Sequence, residues 1–314
     1  MSYSADVKNE ICRLDIPREE YLPELSAIFR NNAIYTGEKI ELYTENPNIV
    51  KRIYTLIKNY YQVDITFDRR SNNNFTKNQM YVIEITSKVD MILKDLNVIS
   101  ENGFYLVEPK PYLIDTDIDK RAYLRGSFLA KGSINDPKTS RYHLEFSIDT
   151  EEEANNLDNI LNYFNLNSRI TIRDNGYMVY IKEAEKISDF LRLISANKSL
   201  LYFEDIRIYR DSMNMTNRLN NMEQANMDKV ISTALKQVEQ INYIDKSIGL
   251  DILDDKSLEL AKYRLKYPES STKELSDIIS LETGKPITKS GVNHRFRKIK
   301  EVYERLVKED NKNT

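Results

Sequence analysis

Residues 121–150 read RAYLRGSFLAKGSINDPKTSRYHLEFSIDT, and this stretch decides the fold. It opens with a helical segment of small and apolar residues and closes with an alternating strand at Leu144, Phe146 and Ile148. The same order of residue types occurs about 100 residues earlier, where residues 23–44 read PELSAIFRNNAIYTGEKIELYT. The chain therefore contains an internal duplication, with repeats at about 20–100 and 118–200.

Both copies continue with the same predicted elements. A helix follows the first strand, with apolar positions at helical spacing: Ile49, Ile53, Leu56 and Ile57 in the first copy, Ala154, Leu157, Ile160 and Leu161 in the second. Two strands and a closing helix come next, at 63–67, 81–85 and 89–96 in the first copy and at 168–172, 177–181 and 184–193 in the second. A parallel sheet needs a helical connection between successive strands, and neither copy has a helix between all of its strands. A parallel sheet is therefore disfavoured. The pattern predicts an α+β fold with a pseudo-twofold pair of small antiparallel sheets.

Length and composition exclude several classes of protein. A chain of 314 residues is long enough for two domains. No apolar run approaches the roughly 20 residues of a membrane span, and the first residues lack the apolar segment of a signal peptide, so a cytoplasmic protein is expected. Cys12, His143 and His294 are too few and too far apart for a zinc site. We expect neither a metal nor another cofactor.

The net charge of −3 conceals an asymmetry along the chain. Residues 256–308 carry 13 Lys and Arg against 7 Asp and Glu, whereas residues 1–255 are net acidic. Because affinity for nucleic acid depends largely on neutralised phosphates, the C-terminal segment is the better candidate for binding double-stranded DNA.

Three helices are predicted in residues 256–308. The first, near 257–266, uses Leu258, Ala261 and Leu265 and stops before Pro268. The second opens at Ser271 with the spelling of a capping box and buries Leu275, Ile278 and Ile279. The third begins after Gly284 and Pro286, with Thr288 as N-cap, and buries Val292, Phe296, Ile299 and Tyr303. This arrangement predicts a helix-turn-helix.

With that apolar stripe inward, Lys289, Ser290, Asn293, Arg297 and Lys300 face outward on one side of the third helix. In a helix-turn-helix this helix enters the major groove. Asn293 and Arg297 are candidates for pairing with adenine and guanine, and Lys289 and Lys300 for contacting phosphates. The full candidate set of DNA-binding residues is Thr272, Lys273, Thr288, Lys289, Ser290, Asn293, His294, Arg295, Arg297, Lys298 and Lys300. The alternative is an ordinary three-helix bundle with a basic face.

The second copy carries a small-residue pattern at Leu124, Gly126, Ala130 and Gly132. Gly126 and Ala130 lie four apart, so they present a small face that lets another helix approach closely. The pattern resembles the LAGLIDADG homing endonucleases, in which two such helices pack together and each ends with an acidic metal ligand.

This resemblance aligns Lys131 and Asn32 with the two acidic positions, so no catalytic residue is expected. An ammonium group repels the magnesium that phosphodiester hydrolysis requires. Asp136 is a possible substitute ligand, but the residue before a proline in a turn more often caps the local backbone. The sheet strands offer cations on one face: Arg169 and Arg173 in the second copy, and Arg69 and Arg70 after the first. Glu41 and Glu145 offset them, so this domain either binds DNA weakly or positions other proteins.

Four segments together resemble the WhiA family of sporulation and cell-division regulators. They are SYSADVKNEI from Ser2, YLRGSFLAKGSINDP from Tyr123, NRLNNMEQAN from Asn217 and KSGVNHRFRK from Lys289. The resemblance covers nearly the whole chain. The first copy departs from the family's small-residue run at Asn31 and Asn32, which argues against close helix packing there.

The resemblance to this family also implies fold, function and location. It implies a LAGLIDADG-like domain without nuclease activity, joined to a DNA-binding domain similar to region 4 of sigma factors. The implied role is transcription control in sporulating relatives, or cell division and chromosome segregation elsewhere, on the nucleoid. Other regulatory or division proteins are a candidate partner class for the LAGLIDADG-like domain. The competing interpretations are an active homing endonuclease and an interaction scaffold.

These patterns divide the chain into a LAGLIDADG-like domain at 1–210, a helical connector at 211–255 and the helix-turn-helix at 256–308. In the connector, Val230, Ala234, Val238 and Ile241 predict a helix. Its Asn-rich first half is either a plain linker or a contact segment.

Overall fold

The computed structural model of the protein describes residues 2–71, 79–139 and 141–311. The chain divides into two units, Met1–Asp211 and Ser212–Thr314. Among the described residues, no helix is both long and apolar enough to span a membrane.

The first unit begins with a short helix, α1 (Tyr3–Ile11), and continues with two copies of one helix and strand order. The first copy comprises α2 (Tyr21–Asn32), β1 (Ala33–Tyr35), β2 (Ile40–Thr44), α3 (Pro47–Tyr61), β3 (Ile65–Ser71), β4 (Gln79–Ile85) and α4 (Val89–Asp95). The second comprises α5 (Asp117–Lys131), β5 (Gly132–Ile134), β6 (Leu144–Ile148), α6 (Glu151–Tyr163), β7 (Arg169–Arg173), β8 (Gly176–Ile181) and α7 (Ala184–Leu193). The sheets are antiparallel with equivalent strand orders, β1-β2-β4-β3 and β5-β6-β8-β7. The predicted duplicated α+β fold is confirmed.

Each sheet has one more strand than the sequence predicts. β1 and β5 have three residues each and follow the preceding helix without a loop. Three residues are too few to show the alternation that marks a strand, so the sequence pattern does not separate either strand from the helical segment before it. The helix α1 was not predicted either.

The two copies share one hydrophobic core, and α2 packs against α5 at its centre. A Cβ atom added at Gly126 would lie 2.3 Å from the carbonyl oxygen of Glu24 and 2.9 Å from Cβ of Ala27. The predicted close approach at Gly126 is therefore confirmed. The argument against close packing of the first copy was wrong, because the contact uses Ala27, one turn before Asn31 and Asn32.

A buried ion network joins the two copies beside this contact. Glu24 has no exposed surface, and its carboxylate accepts hydrogen bonds from Arg52 Nε at 2.7 Å and from Arg125 Nε at 2.6 Å. Arg125 also donates through Nη2 to Glu20 at 2.6 Å. Two opposite charges and several hydrogen bonds thus compensate the desolvation of one buried carboxylate.

The network predicts a dependence of stability on pH. Burial alone would raise the pKa of Glu24, but Arg125 and Arg52 outweigh burial and hold that pKa below its ordinary value. A carboxylate with a lowered folded-state pKa stabilises the fold above its unfolded pKa of about 4.3, and this stabilisation is lost as the pH falls through the folded-state value. The stability difference between wild type and Glu24→Gln, measured by urea unfolding, should therefore shrink in acid. A difference that stays constant from pH 7 to pH 3 would contradict this linkage.

The 52-residue helix α8 (Asn197–Ile248) contains the Asn-rich segment, whose residues 211–230 are all exposed. The second unit continues with α9 (Asp255–Lys266), α10 (Thr272–Thr283) and α11 (Lys289–Asp310). Ile241 and Ile244 of α8 are fully buried in a core shared with these three helices. The C-terminal part of α8 is therefore a fourth helix of the second unit.

Candidate nucleic-acid interface

The start of α10 is held by the capping box that the sequence predicts. The amide of Glu274 donates to Ser271 Oγ at 3.1 Å, and the amide of Ser271 donates to Glu274 Oε2 at 2.7 Å. The bond from the Ser271 backbone lowers the pKa of Glu274. This reciprocal pair satisfies two amide donors that would otherwise lack partners at the helix start.

The turn between α10 and α11 is built from local hydrogen bonds. Gly284 ends α10 with φ at +69°, a left-handed conformation that favours glycine. Ser280 Oγ accepts from the amide of Ile287 at 3.0 Å, which brings the chain back toward α10. Thr288 then caps α11, since its Oγ1 accepts from the amide of Gly291 at 3.2 Å. The predicted cap and turn are confirmed.

The apolar side of α11 fixes the direction of its polar side. Val292, Phe296 and Ile299 are buried against α9 and α10, and Tyr303 is half-buried at the margin. All five residues predicted to face outward are exposed: Lys289, Ser290, Asn293, Arg297 and Lys300. Lys289, Asn293 and Arg297 have no side-chain partner among the described residues, whereas Lys300 lies 3.5 Å from Glu304 one turn along the helix. These three polar side chains, which have no partner among the described residues, therefore form a row along one face of α11.

The remaining candidate residues lie in other settings. Arg295 Nη1 contacts Glu259 Oε2 at 3.1 Å, and Lys298 Nζ contacts Asp254 Oδ2 at 2.6 Å. These ion pairs tie α11 to the start of α9, so their cations are already partly neutralised. His294 is exposed on α11, while Thr272 and Lys273 open α10, with Lys273 exposed and Thr272 half-buried.

The apolar face of α9 includes Ala261 and Leu258, as predicted, but not Leu265. Leu265 was expected to be buried but is exposed, whereas Leu260 and Arg264 are almost completely buried. An arginine in the core breaks the apolar period that would have shown this face. In the sequence, the buried position of Leu260 is indicated only by its place next to Ala261. The helical spacing of Leu258 and Leu265 instead favours a face that includes Leu265.

The ends of α2 and α5 hold the two residues that the resemblance aligns with the acidic positions of the homing endonucleases. Asn32 is the last residue of α2 and Lys131 the last of α5, which supports the alignment of these two positions. Lys131 Nζ lies 3.6 Å from Asp149 Oδ2. In the described part of the chain, no three His, Cys, Asp or Glu side chains are grouped to hold a metal ion.

Asp136 forms a local turn, as predicted. Its Oδ1 accepts from the amide of Lys138 at 2.9 Å, and its carbonyl oxygen accepts from Thr139. The carboxylate therefore stabilises the backbone after β5.

The cations of the two sheets are mixed with carboxylates. Arg69, Arg169 and Arg173 are exposed, and the side chain of Arg70 lies outside the described residues. Glu41 is buried and bound to Lys39 Nζ at 2.6 Å, while Glu145 Oε2 lies 2.9 Å from His143 Nε2. These sheets lack the uniform positive charge expected of a strong DNA-binding surface.

A duplicated LAGLIDADG-like unit followed by a helix-turn-helix defines a two-part DNA-binding protein. Three family models match in order: the WhiA N-terminal LAGLIDADG-like domain at residues 18–99, the WhiA LAGLIDADG-like domain at 120–214 and the WhiA C-terminal HTH domain at 216–303. The chain belongs to the WhiA family.

Relatives along the whole chain support this assignment. "Probable cell division protein WhiA" of Lactiplantibacillus plantarum is 45% identical over 98% of this chain and 100% of that protein. The protein of the same name from Staphylococcus saprophyticus is 44% identical over 98% of each. The crystal structure of full-length DUF199/WhiA from Thermatoga maritima has the same fold, with a TM-score of 0.60, 23% identity and coverage of 97% of this chain and 99% of that one.

Proposed function

We propose that the protein is a sequence-specific DNA-binding regulator of cell division and chromosome segregation without nuclease activity. The observation that carries this proposal is the polar face of α11. On this face Lys289, Asn293 and Arg297 are exposed and have no side-chain partner among the described residues. In the major groove, an Asn side chain can form two hydrogen bonds with adenine, and an Arg side chain can form two with guanine. The names of the relatives support a role in cell division. The expected place of action is the nucleoid, in the cytoplasm.

Absence of cleavage is proposed from the chemistry of the helix ends. Phosphodiester hydrolysis in this fold needs carboxylates that hold a divalent metal over the DNA backbone. Lys131 and Asn32 supply an ammonium and an amide instead. The proposed role of the LAGLIDADG-like unit is to position the protein, or to bind other regulatory or division proteins, because its sheet cations are offset by Glu41 and Glu145.

The test is DNA binding by the intact chain across a salt series, with magnesium or manganese present and the products separated on a denaturing gel. We expect retention that weakens as salt rises, because bound cations release counterions from the DNA, and no cut strand. Strand cleavage would restore the endonuclease interpretation. Absence of retention at low salt would favour an interaction scaffold.

A further inference from the structure

The second unit contains a buried cation without a counter-ion. Arg264 is 1% exposed, and Nη1 donates to the carbonyl oxygens of Ser270 at 2.6 Å and Tyr267 at 3.2 Å. Its Nε has no hydrogen-bond partner, and no carboxylate among the described residues pairs with it. Burial lowers its pKa to about 10, which still leaves the guanidinium charged at neutral pH. A buried charge of this kind is costly unless an opposite charge compensates it.

Arg264 lines a groove with a cavity volume of about 390 Å³, in which α8, α9, the start of α10 and the start of α11 converge. Its lining residues are Asn226, Lys229, Val230, Thr233, Ala234, Arg264, Ser270, Ser271, Thr272, Lys273 and Lys289. This lining contains four cations and no carboxylate. The groove is therefore suited to an anion.

The three lysines of the groove carry charge that no neighbouring carboxylate of the described residues neutralises. Lys229, Lys273 and Lys289 are exposed and form no ion pair within the described part of the chain. By contrast, Lys266, Arg295 and Lys298 are paired with Glu282, Glu259 and Asp254 respectively. Three lysines without an ion pair among the described residues thus line this one groove.

The start of α10 adds backbone donors to these cations. The first amides of a helix have no acceptor within the helix, and the Ser271 side chain takes only that of Glu274. The amides of Thr272 and Lys273 therefore lie at the positive end of the helix dipole, where an anion is favoured. Lys289 connects this groove with the polar face of α11, because it is the first residue of that helix.

We propose that this groove binds a phosphate of the DNA backbone, and that Lys229 of α8 is therefore part of the DNA-binding surface. This inference rests on the proposed function, since it places the groove at the edge of the face that contacts bases. It extends the surface beyond the helix-turn-helix to the helix that precedes it. It also gives the end of the NRLNNMEQAN segment, at Asn226, a place beside the bound phosphate.

The test compares Lys229→Gln with Lys246→Gln in the full chain. Both lysines are exposed on α8, but Lys246 lies outside the groove. Affinity for two unrelated DNA duplexes would be measured by fluorescence anisotropy at several salt concentrations. Lys229→Gln should weaken binding to the same extent on both duplexes and reduce the slope of log K against log salt by about 1. Lys246→Gln should change neither quantity.

Three outcomes would overturn the inference. The first is wild-type affinity and slope for Lys229→Gln while Arg297→Ala weakens binding, which leaves the proposed function intact. The second is a free phosphate site: inorganic phosphate raises the melting temperature of wild type but not of Lys229→Gln, and DNA binding is the same in both. The third is no DNA binding by the wild type, which would overturn the proposed function as well.

Discussion

Replacing Arg125 with Met should lower the free energy of unfolding of the first unit by about 3–5 kcal/mol, because removal of one partner from a buried ion pair leaves a buried charge uncompensated. Glu24 is fully buried and depends on Arg125 and Arg52 for its compensation. The loss should be visible as faster amide hydrogen exchange in α2 and α5, the two helices that the network joins.

Arg121→Met is the matched control for this change. Arg121 lies on the same helix, but it is exposed, and its guanidinium lies 5.9 Å from the centre of the Phe164 ring. Its replacement should cost less than about 1 kcal/mol. Equal losses for the two variants would mean that the buried network does not stabilise the contact between the two copies.

Replacing Arg297 with Ala should weaken binding to the preferred DNA site by about 1–3 kcal/mol and relax specificity at one base pair, because the proposed pairing of its guanidinium with guanine would be lost. Arg297 is exposed in the middle of the polar face of α11 and has no partner among the described residues. Removal of its side chain should therefore leave the folded unit unchanged. Affinity on the preferred site and on single-base variants of that site would measure both effects.

Arg305→Ala provides the control for this second change. Arg305 is exposed two turns further along α11, beyond the segment that carries Lys289, Asn293 and Arg297. Its loss should change the salt dependence slightly and leave base preference intact. A loss of base preference in Arg305→Ala, with Arg297→Ala unaffected, would place the recognition surface elsewhere on the helix.

The long periodic elements could be predicted from the sequence because each carries enough residues to show its period. The helix α7 begins and ends at the predicted residues, and Thr288 is the N-cap of α11, as predicted. The strands β1 and β5 could not be predicted, because three residues carry no alternation. The polar stretch of α8 is helical despite its asparagines, which favour turns and caps when only local propensity is considered.

The polar face of the candidate site could also be predicted, since the apolar stripe of α11 determines which side chains point outward. The groove could not be predicted. It depends on the burial of Arg264 in the core and on the position of Lys229 beside residues that lie more than 40 positions later in the chain. Neither feature produces a periodic pattern in the sequence. The ion pairs of Arg295 and Lys298 likewise depend on tertiary distances, so sequence alone could not separate these cations from Arg297.

Selection from a library of random DNA duplexes tests the central claim most directly, with the full chain and the Asn293→Ala/Arg297→Ala double variant examined in parallel. The wild-type chain should enrich one defined motif, whereas the double variant should retain DNA at low salt but enrich none. Enrichment of the same motif by both proteins would contradict the claim that the exposed face of α11 reads the sequence.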